Sequence, residues 1–161
     1  RPGHFQGVVN VVERLFHYVR PDVAFFGEKD RQQLAIIQHV VKQLHWPVKI
    51  KPHSIMRAQD GLALSSRNQR LSPDQRKEAP VLYRALQAIG DISFRGPVTG
   101  ALQAGMAVLA DHPGVQLDYL TIADTETLLP LESWVGKEAA VALIAAQVGP
   151  VRLIDNITLH R

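Results

Sequence analysis

The chain has 161 residues, enough for one domain or two small ones; 46% of them are apolar and 20% charged, the balance of an ordinary globular protein. The longest apolar run, Ala139 to Ala146, is far too short to cross a membrane, so no membrane partner is expected. Cysteine is absent, which excludes disulfides and thiolate chemistry, and the seven histidines lack a tight ligand spacing, so no protein-held metal is expected.

No signal peptide is visible, and a cytoplasmic location is the expectation. Net charge is +3, unevenly spread: Arg1 to Arg84 carries 14 Lys/Arg against 7 Asp/Glu, and Ala85 to Arg161 carries 4 against 8. A polyanionic ligand would be drawn to the basic first half.

Arg1-Pro2-Gly3-His4 reads as loop. Phe5 to Val19 places Val8, Val11, Val12, Leu15, Phe16 and Val19 on one face of an amphipathic helix, which Arg20-Pro21 ends. Val23 to Phe26 reads as a short strand buried on both faces. Gly27 then lets the chain turn sharply. Asp30 stands where a helix N-cap belongs, with Gln33 at capping-box spacing, and Leu34, Ile37, Val41 and Leu44 recur at helical spacing. Val48 to Ile50 is the next strand. Two parallel strands are too few for a stable sheet, so the chain reads as the latter part of a larger α/β domain.

From Lys51 to Arg70 the pattern breaks into turn and loop signals, the expected domain boundary. Ser72-Pro73-Asp74-Gln75 opens a helix with a capping box; Ala79, Leu82, Leu86 and Ile89 form its apolar face, Pro80 kinks it or delays its start, and Gly90 stops it. Asp91 to Gly100 reads as a linker. Ala101 to Ala110 is a second helix with Leu102, Met106 and Leu109 inward. Three strand candidates follow. Val115, Leu117, Tyr119 and Thr121 alternate with Gln116, Asp118 and Leu120; Ala140 to Gln147 is apolar; Val151 to Leu159 closes the chain behind a Gly149-Pro150 hairpin signal. This second part reads as two helices on a small antiparallel sheet.

Two constellations carry chemistry. Gly27-Glu28-Lys29-Asp30 lies where a parallel strand meets a helix, the edge at which open α/β sheets bind ligands, and a helix N-terminus there favours anions. The plain alternative is a βα turn with an exposed lysine. Leu64-Ser65-Ser66-Arg67-Asn68 offers two hydroxyls and a guanidinium for phosphate oxygens; the plain alternative is a polar linker. Together they read as two halves of a triphosphate clamp.

Phe26-Gly27-Glu28-Lys29-Asp30 with Gln32-Gln33-Leu34, then Asp60-Gly61-Leu62-Ala63-Leu64-Ser65-Ser66-Arg67-Asn68, resembles the pantothenate synthetase family. So do the opening Arg1-Pro2-Gly3-His4-Phe5-Gln6-Gly7-Val8 and the late Arg152-Leu153-Ile154-Asp155-Asn156. The similarity covers essentially the whole chain.

The resemblance implies a Rossmann-like nucleotidyltransferase domain, its C-terminal part at residues 1–64, followed by a small α+β lid domain at residues 65–161. It implies ATP-dependent joining of pantoate to β-alanine through a pantoyl-adenylate, with ATP and Mg2+ entering as the substrate complex, and a homodimer for the full-length enzyme. Gly27, Glu28, Lys29 and Asp30 would contact ATP, with Lys29 on the phosphates. Met56 would meet the adenine, and Leu64, Ser65, Ser66 and Arg67 would form the phosphate loop, with Lys29 and Arg67 as the catalytic pair.

Gln33 would bind pantoate, which displaces its capping-box reading; His4 would lie near that pocket. Val8, Val11 and Val12 fall either to the pocket's apolar side or to ordinary core packing. The chain departs from the family in lacking the His-x-Gly-His motif, and at Arg31, Pro52 and Ser54. A fragment without that motif is expected to be inactive. The competing readings are a non-catalytic nucleotide-binding or regulatory module and a nucleic-acid binder. The basic half has no clustered Lys/Arg interleaved with aromatics, which argues against nucleic acid.

Overall fold

A computed structural model describes residues 3–161; Arg1 and Pro2 of the opening motif lie outside the described residues. The chain divides into two compact units, Arg1–Ile55 and Met56–Arg161.

The first unit runs α1 (His4–Val19), β1 (Val23–Gly27), α2 (Arg31–Gln43), β2 (Lys49–His53). β1 and β2 pair in parallel, from Val23 opposite Lys49 to Gly27 opposite His53, and α2 is the crossover that parallel pairing requires. α1 stops where Arg20 turns left-handed (φ 50°) and caps Phe16 O, just before Pro21.

The buried apolar residues of this unit are Val12, Leu34 and Ile37. β1 is not buried on both faces: exposure alternates along it, and Phe25 is 68% exposed. Among the described residues the sheet has two strands, and α2 packs against both. The expected apolar face of α1 is mostly bare too, with Val11, Leu15 and Val19 all more than half exposed. β2 runs further than its sequence suggests, through Pro52 to His53. A proline is tolerated there because, among the described residues, β2 pairs with β1 alone and its other edge needs no donor.

The second unit runs α3 (Pro73–Glu78), α4 (Val81–Ile92), α5 (Val98–Ala110), β3 (Val115–Ala123), β4 (Ala139–Val148) and β5 (Val151–His160). The capping box at Ser72 is present: Gln75 N donates to Ser72 Oγ at 3.3 Å, and Ser72 N donates to Gln75 Oε1 at 2.9 Å. Pro80 does break the helix, separating α3 from α4. Gly90 does not stop α4, which continues to Ile92 before Ser93 Oγ donates to Gly90 O. The segment 91–100 is therefore mostly helix ends, with α5 starting at Val98.

Gly90 and Gly105 serve packing. A Cβ on Gly105 would sit 2.9 Å from Ile89 Cδ1 and 3.0 Å from Leu120 Cδ2, so the glycine lets α5 lie close against α4 and β3. Leu109 is buried and Leu102 packs on the core as expected, but Met106, also expected inward, is 48% exposed, and Ala101 and Gly105 complete the inner face.

The sheet is antiparallel in the order β3-β4-β5. Its register slips between Leu117 and Tyr119, a bulge at Asp118. The extra residue reverses the alternation, so Leu120 and Ile122 pack on the core while Tyr119 is 43% exposed. Central β4 pairs on both edges, and Gly149 (φ 56°) begins the turn into β5.

Candidate functional site

In the first unit the candidate residues sit at the C-terminal end of β1. Gly27 ends the strand in ordinary extended backbone (φ −69°, ψ 133°), so it does not make the sharp turn itself. Glu28–Asp30 make that turn as one 3-10 turn leading into α2. A Cβ on Gly27 would meet nothing within 4 Å, so the residue presents an open patch of backbone at the strand end.

Asp30 occupies the N-cap position of α2 but makes no side-chain capping bond, and the capping box with Gln33 is absent. The preceding 3-10 turn gives Asp30 φ −91° and ψ 60°, outside the extended backbone usual at an N-cap. Lys29 is half-buried, as is Gln33 in the first turn of α2. Arg31 does not face solvent: its side chain is 14% exposed and its Nη1 lies 3.4 Å from Glu28 Oε1.

A groove of about 360 Å³ lies elsewhere in this unit, lined by Glu13, Phe16, His17, Trp46 and Val48. It opens where β1 and β2 begin, the opposite end of the strands from Gly27.

In the second unit a small hairpin joins the other candidates. Arg57 and Ala63 form an antiparallel bridge, Ala58 N donates to Leu62 O, and Leu64 N donates to Met56 O at 2.8 Å. Met56 and Leu64 are thus direct neighbours, both more than half exposed. Gly61 turns the hairpin with φ 90°, and Tyr83 of α4 lies so close that any Cβ there would collide with its ring.

Beyond Leu64 the chain is extended at Ser65 and enters a 3-10 helix, Ser66–Arg70. Arg67 N donates to Ser65 Oγ at 3.2 Å, which folds the loop over its own hydroxyl; Ser66 and Arg67 are exposed. Asn68 Nδ2 donates to Ala63 O at 3.0 Å, while Asn68 Oδ1 is a buried acceptor without a donor.

Arg57 holds this hairpin to β5, a role that motif reading missed. Its Nη1 donates to Asp155 Oδ2 at 2.6 Å and its Nη2 to Asp155 Oδ1 at 3.0 Å. Asp155 stands opposite Ile144 and points to the helix-covered face of the sheet, 4% exposed. The available signal was a carboxylate amid the apolar β5 sequence, since a buried charge needs a partner. Breaking such a pair typically costs about 3–5 kcal/mol.

Asp60, beside Gly61, pairs with Arg76 of α3, which holds its carboxyl below the usual range and raises the guanidinium. Among the described residues no group of three or more His, Cys, Asp and Glu is gathered so as to hold a metal ion. No described helix is long and apolar enough to cross a membrane.

Lys29, with Gly27 to Gln33, belongs to the first unit, and Met56 with Leu64 to Arg67 belongs to the second. Sequence comparison adds a family to this geometry. The family model described as pantoate-beta-alanine ligase matches residues 1–158. The pantothenate synthetase of Corynebacterium glutamicum is 50% identical over 160 residues, covering 99% of this chain and 57% of that protein.

The Thermus thermophilus enzyme of the same name is 49% identical, and its crystal structure superposes with a TM-score of 0.94, covering 100% of this chain and 58% of that one. A Francisella tularensis pantoate-beta-alanine ligase, solved with beta-gamma ATP and beta-alanine, matches at 30% identity and a TM-score of 0.69 over 98% of this chain and 51% of that one. The chain thus spans under three fifths of the length of these relatives.

Proposed function

The chain belongs to the pantoate–β-alanine ligase family, and from that premise we propose that it forms part of an enzyme joining pantoate to β-alanine at the expense of ATP, through a pantoyl-adenylate. Residues 1–64 are the later part of its nucleotide-binding domain and residues 65–161 its lid, with the hairpin 56–64 of the former held in the compact unit 56–161.

Support for the nucleotide reading comes chiefly from one observation. The hairpin bond from Leu64 N to Met56 O makes the adenine-side and phosphate-side candidates immediate neighbours. In this reading Met56 meets the adenine through the backbone groups its hairpin bond leaves over. Ser65, Ser66 and Arg67 take the phosphates, Arg67 as a fork for two oxygens. Lys29 and the N-terminus of α2 supply positive potential to the α-phosphate as charge builds on it. Gly27, Glu28 and Asp30 contact the nucleotide through the open strand end. Gln33 donates to or accepts from pantoate. Magnesium arrives with ATP as part of the substrate, and the complete enzyme is a homodimer.

Adenylation asks of these residues alignment and charge stabilisation; the second step, attack by the β-alanine amine on the acyl carbon, needs alignment and exclusion of water. Removing one such electrostatic contact costs a factor of roughly 100–1000 in rate. Lys29→Ala, introduced into an enzyme carrying this chain, should therefore cut pantoate-dependent pyrophosphate release by that factor. Unchanged release would remove Lys29 from its role.

The chain alone is proposed to be inactive. The exposed Val11, Leu15, Val19 and Phe25 are consistent with a first unit that takes further structure in the complete enzyme. Supplied with MgATP, pantoate and β-alanine, the chain should make no pantothenate; formation at an intact enzyme's rate would refute this.

A further inference from the structure

Both terminal nitrogens of Arg57 are engaged. Besides the two bonds to Asp155, Nη1 donates to Gly61 O at 3.0 Å and Nη2 to Asn156 O at 3.2 Å. Its Cζ lies 3.9 Å from the centre of the Tyr83 ring, and the same ring closes on Gly61. Hairpin, helix α4 and strand β5 therefore meet at one planar cation. The hairpin's other polar anchor, Asp60 with Arg76, is substantially exposed and holds far less.

We propose that Arg57 is a positioning residue, whose fixed fork sets the hairpin 56–64 against β5 and Tyr83 and so sets the spacing between Met56 and the Ser65-Ser66-Arg67 loop. Its benefit to ATP rests on the nucleotide reading above; its hold on the hairpin does not. Lysine could keep the charge but not the fork, since an ammonium cannot bond Asp155 in two places while reaching Gly61 O and stacking on Tyr83. A purely stabilising role would be replaceable by apolar side chains of similar volume, which often match or exceed a buried ion pair in stability. A positioning role would not, because the bond to Gly61 O is lost.

The test compares the unsubstituted 161-residue chain with Arg57→Lys and Arg57→Met/Asp155→Leu, by amide hydrogen exchange at Ala58, Gly61 and Leu64, with Ala142 and Ile144 of β4 as internal controls. Both variants should exchange at the hairpin roughly 10- to 100-fold faster, the size expected for losing a hydrogen bond to a charged group, while β4 follows global stability. The double variant guards against simple unfolding of the single one, since its melting temperature should stay near that of the parent.

Equal acceleration at β4 and hairpin, or a double variant that keeps full hairpin protection, overturns the proposal. MgATP is added in a second arm to a complete enzyme carrying this chain or the same substitutions, read by amide chemical shifts from Leu64 to Arg67. Weaker binding by the double variant at unchanged melting temperature supports the proposal. If MgATP shifts none of these amides in the parent while hairpin exchange accelerates as expected, the nucleotide reading fails and Arg57 keeps its role in setting the hairpin.

Discussion

The two units solve the same problem with unequal means. Among the described residues the first buries three apolar side chains, Val12, Leu34 and Ile37, whereas the second buries twenty-four. The first has one two-stranded parallel sheet and leaves large apolar groups such as Phe25 and Leu15 in water; the second closes a three-stranded sheet under α4 and α5, with β4 buried almost throughout. Hydrophobic burial is the dominant favourable term in folding, so cohesion is concentrated in the second unit. The lysine-bearing turn stands on the weaker platform, and the hairpin with its serine–arginine loop on the stronger.

Substitutions put that contrast to the test. Leu86→Ala, at a fully buried position of α4, should destabilise the second unit by about 2–5 kcal/mol in urea unfolding; a loss under about 1 kcal/mol would show that its core tolerates voids. Gly105→Ala should cost about 1–3 kcal/mol by forcing a methyl against Ile89 and Leu120. Adding Ile89→Val, which removes Cδ1, should restore part of it; no restoration would place the strain elsewhere.

Asp124→Asn acts through pH. Lys137 and the amides of Glu126 and Thr127 hold the Asp124 carboxyl well below the usual range. Its folded pKa is depressed, so its contribution is full above the unfolded value of about 3.9 and fades as pH falls below it. The Asn variant should melt lower at about pH 7 and lose less stability than the parent between about pH 5 and pH 2; parallel melting curves would deny the ion pair its role. Leu15→Gln, on the exposed face of α1, should change stability by no more than about 0.5 kcal/mol. A larger loss would mean that this face is covered in solution.

Legibility followed the same divide. Period and punctuation located the elements well where a residue's own chemistry decides, as at Ser72 with Gln75 or at Pro80. They misjudged elements where a neighbour decides. Gly90 looked like a stop but sits within helix α4 with Ile157 against it. Pro52 looked like the end of a strand but lies on an open edge. Tyr119 looked inward, and one extra residue at Asp118 turned it out. At the candidate site the motif residues were readable because their spacing is local. Arg57 was not, because its partner lies 98 positions away and no periodicity links them.

The bulge at Asp118 has an effect beyond register. Asp118 is the unpaired extra residue of β3, and its carboxylate reaches across the sheet to Arg152 of β5 at 2.7 Å. The C-terminal end of β3 is covered, since Leu131 N donates to Ile122 O and Ala123 bridges Pro130; ahead of it an uninterrupted strand would present a straight edge of amides and carbonyls to a neighbouring molecule. Kinked, and bearing charge at the kink, it offers such a visitor no continuous track. The same irregularity that misled the reading of Tyr119 thus shortens the stretch of edge on which a second chain could pair.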